Sequence, residues 1–386
     1  MSTRTAITGA RIFDSQFWYD DQALLLDGGT VTGILPEKDL PPETTLIDVK
    51  GHLLVPGFID LQVNGGGGVM LNDHQDVEAI RTICAAHAKF GTTALLPTLI
   101  TDTFEIRRKT IEAGLQAKAE GVPGFLGLHI EGPHLSVARK GAHDPALIRP
   151  MDQADLEAML GCADQFDAMM VTVAPENTTV DQVRAIAEAG LIVSIGHTDA
   201  GYATVAAYAE AGARTVTHLF NAMSPLGHRE PGVVGAALDI GSLHAGLIVD
   251  GFHVDPVSMR LALRAKNGPG RIFIVTDAMS TIGSDQTGFL LNGREIFRKD
   301  GRLTLADGTL AGADIDMLSS VRFAHEKLDL PLDEAIRMAS AYPADAAGIS
   351  TRKGRLMPGL GADFVLLTDN LDMVSTWIGG QRVFQA

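Results

Sequence analysis

The chain has 386 residues, of which 46% are hydrophobic and 20% are charged, and its net charge at neutral pH is −16. This length is enough for one large domain and a small accessory domain. The negative charge argues against broad binding to nucleic acid or to an anionic membrane, although an anionic substrate could bind in a local basic pocket. The sequence contains no long apolar run typical of a membrane span, and its N-terminus lacks a signal-peptide pattern. We therefore expect a soluble cytoplasmic protein.

The two ends of the chain share a strand-rich pattern. Residues 1–55 contain short apolar runs separated by Asp-Gly and Gly-Gly breaks, and residues 355–386 resume the same pattern. We predict that both ends together form a small β-sandwich domain, and that residues 56–354 form the main domain.

The middle of the chain alternates short apolar runs with helical patterns that end in glycine. Eight of these runs are strand candidates: Phe58–Val63, Thr92–Ile100, Phe125–Ile130, Ala168–Val173, Ile192–Ile195, Thr215–Leu219, Gly246–Val249 and Ile272–Val275. Eight such units favour the α/β fold class, and specifically a (β/α)8 TIM-type barrel, over an open sheet. After the eighth run, residues 288–310 predict an inserted β-hairpin, followed by helices at 315–327 and 332–348.

Polar side chains that bind metals or transfer protons follow five of the apolar runs. They are Glu131, His197, His218, His253 and Asp277. In a (β/α)8 barrel the carboxyl ends of the strands surround one shared mouth. We therefore expect these residues, which are distant in the chain, to meet around one ion.

Glu131, His197 and His218 would supply one carboxylate and two imidazoles. Zinc takes such ligands and keeps a position open for water in catalytic sites. Fe²⁺, Co²⁺ or Mn²⁺ could occupy the same ligands, because the ligand type alone does not fix the metal. Taken singly, each histidine could equally be a hydrogen-bonded barrel residue, and the combination with Asp277 is what favours a metal site.

Asp277 is the candidate general acid and base. A carboxylate beside the attacking water can take its proton and pass it to a leaving amine. Taken alone, Asp277 could also be an ordinary aspartate that caps a turn. His143 and His253 could each donate a hydrogen bond to a substrate carbonyl or phosphate, or could be surface-loop histidines.

Candidate anion contacts follow the strand that carries His218. Asn221 and Ala222 lie at a βα turn, where backbone N–H groups point at bound anions. Arg229 is the best-placed guanidinium for a phosphate. Its alternative is a solvated loop charge.

Several longer motifs are specific enough to indicate a family. They are GLHIEGPH, KGAHDP, SIGHTDA, THLFNAMSPL, REPGVVGA, DGFHVDP and VTDAM. Over essentially its whole length the chain resembles the N-acetylglucosamine-6-phosphate deacetylase family of the amidohydrolase superfamily. The resemblance implies hydrolysis of the N-acetyl amide of N-acetylglucosamine 6-phosphate, which gives glucosamine 6-phosphate and acetate. It also implies a metal held by Glu131, His197 and His218, with Asp277 as the acid and base.

The resemblance further implies the substrate contacts and a partner. The implied contacts are Ala142, His143, Asn221, Ala222, Arg229, Asp250, Gly251, Phe252, His253, Leu310, Ala311 and Gly312. In this family the arginine of the REPG segment, here Arg229, reaches the active site of the neighbouring subunit, so we expect a homodimer.

Two departures from related patterns affect these expectations. Many amidohydrolases carry His-x-His at the end of the first strand for a second metal, whereas this chain has Gln62 and Asn64, which are poor ligands beside imidazole. No lysine follows the fourth strand candidate, where other members carry a bridging group. We therefore expect one divalent ion, with zinc as the first choice. The other departure is Ala313, where the family usually has serine.

Two alternatives stay open at this point. One is a different amidohydrolase that acts on a cyclic or N-acyl amide, such as a dihydroorotase or hydantoinase, and the missing His-x-His argues against it. The other is a barrel that has lost its chemistry and serves as a scaffold. The presence of Glu131, His197, His218 and Asp277 together argues against that alternative.

Overall fold

The computed structural model of the chain describes residues 4–291 and 293–386. The first part of the chain forms seven short strands. They are β1 (Arg4–Thr8), β2 (Arg11–Phe13), β3 (Trp18–Tyr19), β4 (Gln22–Asp27), β5 (Thr30–Pro36), β6 (Thr45–Asp48) and β7 (Leu53–Pro56).

The middle of the chain forms eight parallel strands and a small two-stranded ribbon. The parallel strands are β8 (Phe58–Val63), β11 (Thr92–Ile100), β12 (Gly127–Glu131), β13 (Ala168–Val173), β14 (Ile192–Ile195), β15 (Thr215–Val216), β16 (His244–Ile248) and β17 (Ile272–Val275), and the ribbon is β9 (Gly65–Gly66) with β10 (Val69–Met70). The helices between and after them are α1 (Val77–Ala88), α2 (Phe104–Ala119), α3 (Gln153–Leu160), α4 (Val180–Glu188), α5 (Tyr202–Glu210), α6 (Gly232–Asp239), α7 (Pro256–Ala265), α8 (Met317–Lys327), α9 (Leu332–Ala339) and α10 (Ala341–Ala347).

These parallel strands pair in sequence order from β8 through β11 to β17, which is the order of a (β/α)8 barrel. The two ends of the sheet approach each other where the amide of Asp277 donates to the carbonyl of Gln62 at 3.0 Å. A parallel bridge between Val63 and Ala278 extends this contact. The predicted barrel is thereby confirmed, and the closing contact sets Asp277 beside the end of β8.

Local sequence explains where many of the helices begin. Helix α4 starts with a capping box, in which the Thr179 side chain accepts from the Gln182 amide and the Gln182 side chain accepts from the Thr179 amide. Helix α3 uses Asp152 and Asp155 in the same way. Such caps satisfy amide groups that the helix itself leaves without a partner. Among the described residues, no helix combines the length and apolar character that a membrane crossing requires.

The small domain contains strands from both ends of the chain. After the barrel come β22 (Phe364–Leu367), β23 (Met373–Ile378) and β24 (Gln381–Gln385). They join β7, β2 and β3 in a six-stranded sheet, while β5, β4, β1 and β6 form a four-stranded sheet. Ile7, Leu24, Leu54 and Phe364 belong to one buried cluster between the sheets, in which Phe364 stacks on Trp377. This confirms the predicted sandwich, while its boundaries at residues 55 and 355 stay predictions.

The sixth barrel strand is shorter than the prediction of Thr215–Leu219. It ends at Val216, because the backbone then turns through positive φ angles of 28° at His218, 78° at Phe220 and 50° at Ala222. Residues other than glycine rarely adopt positive φ angles, and such backbone strain is concentrated at functional sites. The shortened strand is what turns His218 towards the mouth of the barrel.

The insertion after the eighth strand is larger than the predicted hairpin at 288–310. It is a four-stranded antiparallel sheet of β18 (Gly288–Leu291), β19 (Arg294–Lys299), β20 (Arg302–Thr304) and β21 (Leu310–Ala313). A turn in which the Leu305 amide donates to the Thr309 carbonyl at 2.9 Å lets the chain add the fourth strand. The Ala313 amide in that strand donates to the Asp277 carbonyl at 2.9 Å, which ties the insertion to the mouth of the barrel.

The helix predicted at 332–348 is wrong as one continuous element. It divides into α9 and α10 at Ser340, whose φ of −135° and ψ of −71° are not helical. The Ser340 hydroxyl donates to the Ile336 carbonyl at 2.7 Å, a local bond that competes with the helical pattern.

Candidate metal and active site

A pocket lies at the carboxyl ends of the barrel strands, where the sequence analysis expected a shared site. Twelve of the predicted site residues line it: Asn64, Glu131, Ala142, His143, His197, His218, Asn221, Ala222, His253, Asp277, Leu310 and Gly312. Residues more than two hundred positions apart in the chain, such as Asn64 and Asp277, are therefore brought into one space.

The three predicted metal ligands converge on one point of this pocket. Glu131 ends β12, and its Oε1 lies 3.2 Å from Nε2 of His197 and 3.2 Å from Nε2 of His218. The two Nε2 atoms are 3.0 Å apart. Ligands at the usual zinc distances in a tetrahedral site are about 3.3 Å from one another. The spacing therefore fits a small divalent cation shared by the three side chains.

The surroundings of His197 leave one ring nitrogen free to bind a cation. Its Nδ1 lies 2.8 Å from the Arg139 carbonyl, which can only accept a hydrogen bond, so Nδ1 carries the proton. The lone pair of a neutral ring is then on Nε2, the atom that faces Glu131 and His218. A backbone carbonyl that orients a histidine in this way is a common feature of metal sites.

The Glu131 carboxylate is buried and ionised. Burial acts to raise its pKa, but the adjacent rings of His197 and His218 outweigh burial and hold the pKa well below the ordinary value. An ionised carboxylate is the form that binds a metal. The three side chains therefore present a donor set that suits a divalent ion.

His143 is close enough to be considered as a ligand as well. Ligand atoms of Glu131, His143 and His197 lie within 4.8 Å of one another. However, the Thr101 amide donates to Nδ1 of His143 at 3.3 Å, so in the neutral ring the proton is on Nε2. Burial lowers the pKa of His143 to about 3, which keeps the ring neutral. His143 thus offers an N–H group to the pocket, and its Nε2 lies 3.9 Å from the Glu131 carboxylate. Nε2 of His218 lies closer, at 3.2 Å, and is better placed to share a cation with Glu131.

Asp277 is held by two side-chain amides from the first barrel strand and its following turn. Asn64 Nδ2 lies 2.7 Å and Gln62 Nε2 lies 3.1 Å from Oδ1 of Asp277. The described residues donate no hydrogen bond to Oδ2. Burial, and next the charge of Glu131, raise the pKa of Asp277. A carboxyl group with a raised pKa and one free oxygen is suited to accept a proton and release it again.

His253 and Asp250 form a supporting pair at one side of the pocket. Nδ1 of His253 lies 2.6 Å from Oδ2 of Asp250, and Oδ1 accepts from the amides of Phe252 and His253. Asp250 therefore orients His253 rather than facing the pocket itself. Phe252 is partly exposed and packs under the guanidinium of Arg302 at 4.3 Å. Gly251 has a φ of 75°, and a Cβ there would meet Phe323.

Besides Asp250, Gly251 and Phe252, two further predicted contacts are absent from the pocket lining formed by the described residues. Ala311 is buried among apolar residues of the insertion, because alternation along β21 directs Leu310 and Gly312 to the opposite face. Arg229 lies on the exposed segment between β15 and α6.

Three residues that support the site were missed by the sequence analysis. Thr101 directly follows β11 and contacts His143, so the strand-end rule that identified Glu131 could have identified it. Arg139 contributes only its backbone carbonyl to His197, and a backbone role leaves no signal in side-chain patterns. Arg294 of the insertion donates to the Ala142 carbonyl, a contact between segments far apart in the chain.

The fold and this site together define the class of metal-dependent hydrolases built on a (β/α)8 barrel. Residues 53–383 match the amidohydrolase family, and residues 5–54 match the NagA composite domain. The chain belongs to the amidohydrolase family.

Individual relatives of the chain are named for specific activities within this family. The chain is 43% identical over 333 residues to N-acetylgalactosamine-6-phosphate deacetylase of Shewanella sp. (strain ANA-3), covering 86% of this chain and 84% of the relative. It is 37% identical over 364 residues to N-acetylglucosamine-6-phosphate deacetylase of Haemophilus influenzae, covering 94% of each.

Solved structures agree with this relationship. N-acetylglucosamine-6-phosphate deacetylase from Pasteurella multocida superposes with a TM-score of 0.93 at 37% identity, over 98% of this chain and 99% of that one. An aspartate-to-alanine mutant of the Mycobacterium smegmatis enzyme in complex with N-acetyl-D-glucosamine-6-phosphate has a TM-score of 0.90 at 29% identity, covering 100% of each chain.

Proposed function

We propose that this protein hydrolyses the N-acetyl amide of N-acetylglucosamine 6-phosphate and releases glucosamine 6-phosphate and acetate. The observation that carries the proposal is the meeting of Glu131, His197 and His218 beside the buried carboxyl group of Asp277. Relatives named as deacetylases of 6-phosphorylated amino sugars support the choice of substrate class.

The cofactor in this proposal is one divalent ion held by Glu131, His197 and His218. Zinc is the first choice, and Fe²⁺, Co²⁺ and Mn²⁺ fit the same donors. A second ion is not expected, because Gln62 and Asn64 offer neutral amides, which are poor ligands beside imidazole, and their side-chain nitrogens already donate to Asp277.

The chain's own groups divide the remaining work. When bound, the ion supplies Lewis-acid polarisation of the amide carbonyl and lowers the pKa of water. The free Oδ2 of Asp277 takes the proton of the attacking water and then delivers it to the nitrogen that leaves. Nε2–H of His143 donates to the carbonyl oxygen as negative charge develops there.

The phosphate group is the reason to propose a homodimer. The pocket lining formed by the described residues contains no lysine or arginine, although the whole chain carries a net charge of −16. The turn at Asn221 and Ala222 and the ring of His253 offer N–H groups, but the described lining residues include no side chain with a permanent positive charge. We propose that Arg229 supplies it by reaching the active site of the neighbouring subunit, in agreement with its exposed position.

The galactosamine epimer is a second candidate substrate. It is favoured by the 43% identity to the Shewanella enzyme named for it. Acetate release should be measured with both N-acetyl amino-sugar 6-phosphates at equal enzyme concentration. A higher kcat/KM for N-acetylglucosamine 6-phosphate is the proposed result, and a clear reversal would assign the enzyme to the other epimer.

A further inference from the structure

Residues 133–149, called here the 133–149 loop, connect the end of β12 to helix α3. The loop carries one active-site histidine and contacts another. It carries His143, and its Arg139 carbonyl accepts from Nδ1 of His197 at 2.8 Å. The Ser136 amide donates to the His197 carbonyl at 2.8 Å. The position of this loop therefore affects the orientation of both rings.

The two ends of the loop are tied to each other. The Arg149 amide donates to the Pro133 carbonyl at 3.2 Å. Nδ1 of His134 lies 3.1 Å from the Arg149 carbonyl, which can only accept, so Nδ1 carries the proton. The side chain of His134 is buried, and its Nε2 faces Asp155.

Helix α3 holds the closed end of the loop in place. Asp155 is fully buried, and its Oδ1 accepts from Arg149 Nη2 at 2.7 Å, while Arg149 Nη1 also contacts Oδ2. Arg107 of helix α2 donates to Oδ1 from the other side at 2.5 Å. His134 Nε2 lies 3.7 Å from Oδ2 of Asp155.

The contacts around Asp155 are poorly explained as a device that only makes the folded protein more stable. Asp155 and Arg107 are buried, whereas the Arg149 side chain is partly exposed. The cost of removing the buried charges from water offsets much of their attraction, and apolar replacements of buried ion pairs are often as stable. Fixing one arrangement is a better-attested use of such groups, because unsatisfied alternatives are strongly disfavoured. Here the arrangement that is fixed is the path of the 133–149 loop.

We propose that His134, Arg149 and Asp155, here named the loop clamp, are positioning residues. They hold the 133–149 loop so that its own His143 and the neighbouring His197 keep their orientation. The proposal rests on the proposed function where it treats those two histidines as part of the reaction. Loss of the groups that orient metal-binding or catalytic side chains typically lowers activity by about 10- to 100-fold.

Two matched pairs of variants test the loop clamp. His134→Leu removes the donor to the Arg149 carbonyl, whereas His134→Asn can keep an N–H group near the position of Nδ1. Arg149→Met and Arg107→Met each remove one guanidinium from Asp155, but only Arg149 belongs to the loop. Each variant is compared by thermal unfolding, metal content, kcat and KM, and by hydrogen exchange of peptides covering residues 133–149.

His134→Leu and Arg149→Met should lower kcat by about 10- to 100-fold and speed amide exchange in the loop by at least about 10-fold. His134→Asn should recover most of both. Arg107→Met should lower the unfolding temperature while kcat and loop exchange stay close to wild type. If His134→Leu does not fold, the Arg149 and Arg107 pair carries the test.

Equal loss of kcat in Arg149→Met and Arg107→Met, or unchanged loop exchange in Arg149→Met, would overturn the loop clamp. So would faster loop exchange with wild-type kcat. Failure of the wild-type protein to release acetate would instead reject the proposed function. The exchange measurements would still decide whether these residues hold the loop.

Discussion

The side-chain amide of Asn64 donates a hydrogen bond of 2.7 Å to Oδ1 of Asp277, across 213 positions of sequence. Gln62 donates to the same oxygen at 3.1 Å and lies 3.2 Å from Oε1 of Glu131. Positions at which many amidohydrolases hold a second metal are thus used here to orient a carboxyl group. The presence of Gln62 and Asn64 at these two positions therefore underlies both the expected single metal and the expected acid–base role of Asp277.

Replacing Asp277 with asparagine should separate proton transfer from metal binding. The change keeps the size of the side chain but removes the group that accepts a proton. We expect kcat to fall by at least about 10²-fold, the usual scale for loss of a general acid and base. Metal content should be unchanged, because Glu131, His197 and His218 remain. Steady-state kinetics and elemental analysis check this, and wild-type turnover in the variant would show that another group moves the proton.

A single tightly held ion per chain is the next expectation. The amide nitrogens of Gln62 and Asn64 donate to carboxylate oxygens, and neutral amides are poor ligands beside imidazole. Elemental analysis after extensive dialysis should find about one divalent ion per chain, with zinc as the first choice. Two ions per chain, both needed for turnover, would contradict the mononuclear site.

His143 and His218 should respond differently to substitution. His143→Ala should lower kcat by about 10²- to 10³-fold, the range for loss of one donor to a developing oxyanion, and should leave the metal in place. His218→Ala should lose the metal, because its Nε2 lies 3.2 Å from Glu131 Oε1. Metal loss in the His143 variant with retention in the His218 variant would reverse the two assignments.

Arg229→Ala should weaken substrate binding without affecting the metal. A charged hydrogen bond to phosphate contributes roughly 1.5–3 kcal/mol, so kcat/KM should fall by about 10- to 150-fold. The repulsive background of a chain with net charge −16 favours a large effect. The change should be mainly in KM for the phosphorylated sugar.

A mixed dimer shows which subunit Arg229 serves. One chain carries Asp277→Asn and the other carries Arg229→Ala. If Arg229 acts across the interface, the site that keeps Asp277 receives arginine from the other chain and recovers a near-normal KM, at half the total number of sites. If Arg229 acts within its own chain, no site is intact and no recovery occurs.

The sequence predicted the barrel strands well because a buried parallel strand is a short apolar run between turns. Strands β8, β11, β13, β14 and β17 have the predicted bounds. Periodicity carries no information about φ, however. It could not show that the backbone has positive φ angles of 49° at His197, 28° at His218 and 52° at Asp277. At these positions the requirements of the site override the ordinary preference of histidine and aspartate for negative φ.

The neighbourhood of the candidate ligands was less accessible from sequence. The rule that strand ends share one mouth was enough to collect Glu131, His197, His218 and Asp277. It could not assign a tautomer to His143, which depends on the Thr101 amide. Nor could it show that Ala311 faces away from the pocket, because the insertion was predicted as a hairpin that ended at Leu310, the first residue of β21.

Acetate release from N-acetylglucosamine 6-phosphate, measured on one preparation before metal removal, after metal removal and after restoring one equivalent of zinc, tests the central claim most directly. The account predicts turnover in the untreated protein, loss of turnover without metal and recovery with about one ion per chain. Asp277→Asn treated in the same way should bind the ion and stay inactive. Absence of acetate release from a metal-loaded, folded wild-type protein would contradict the account.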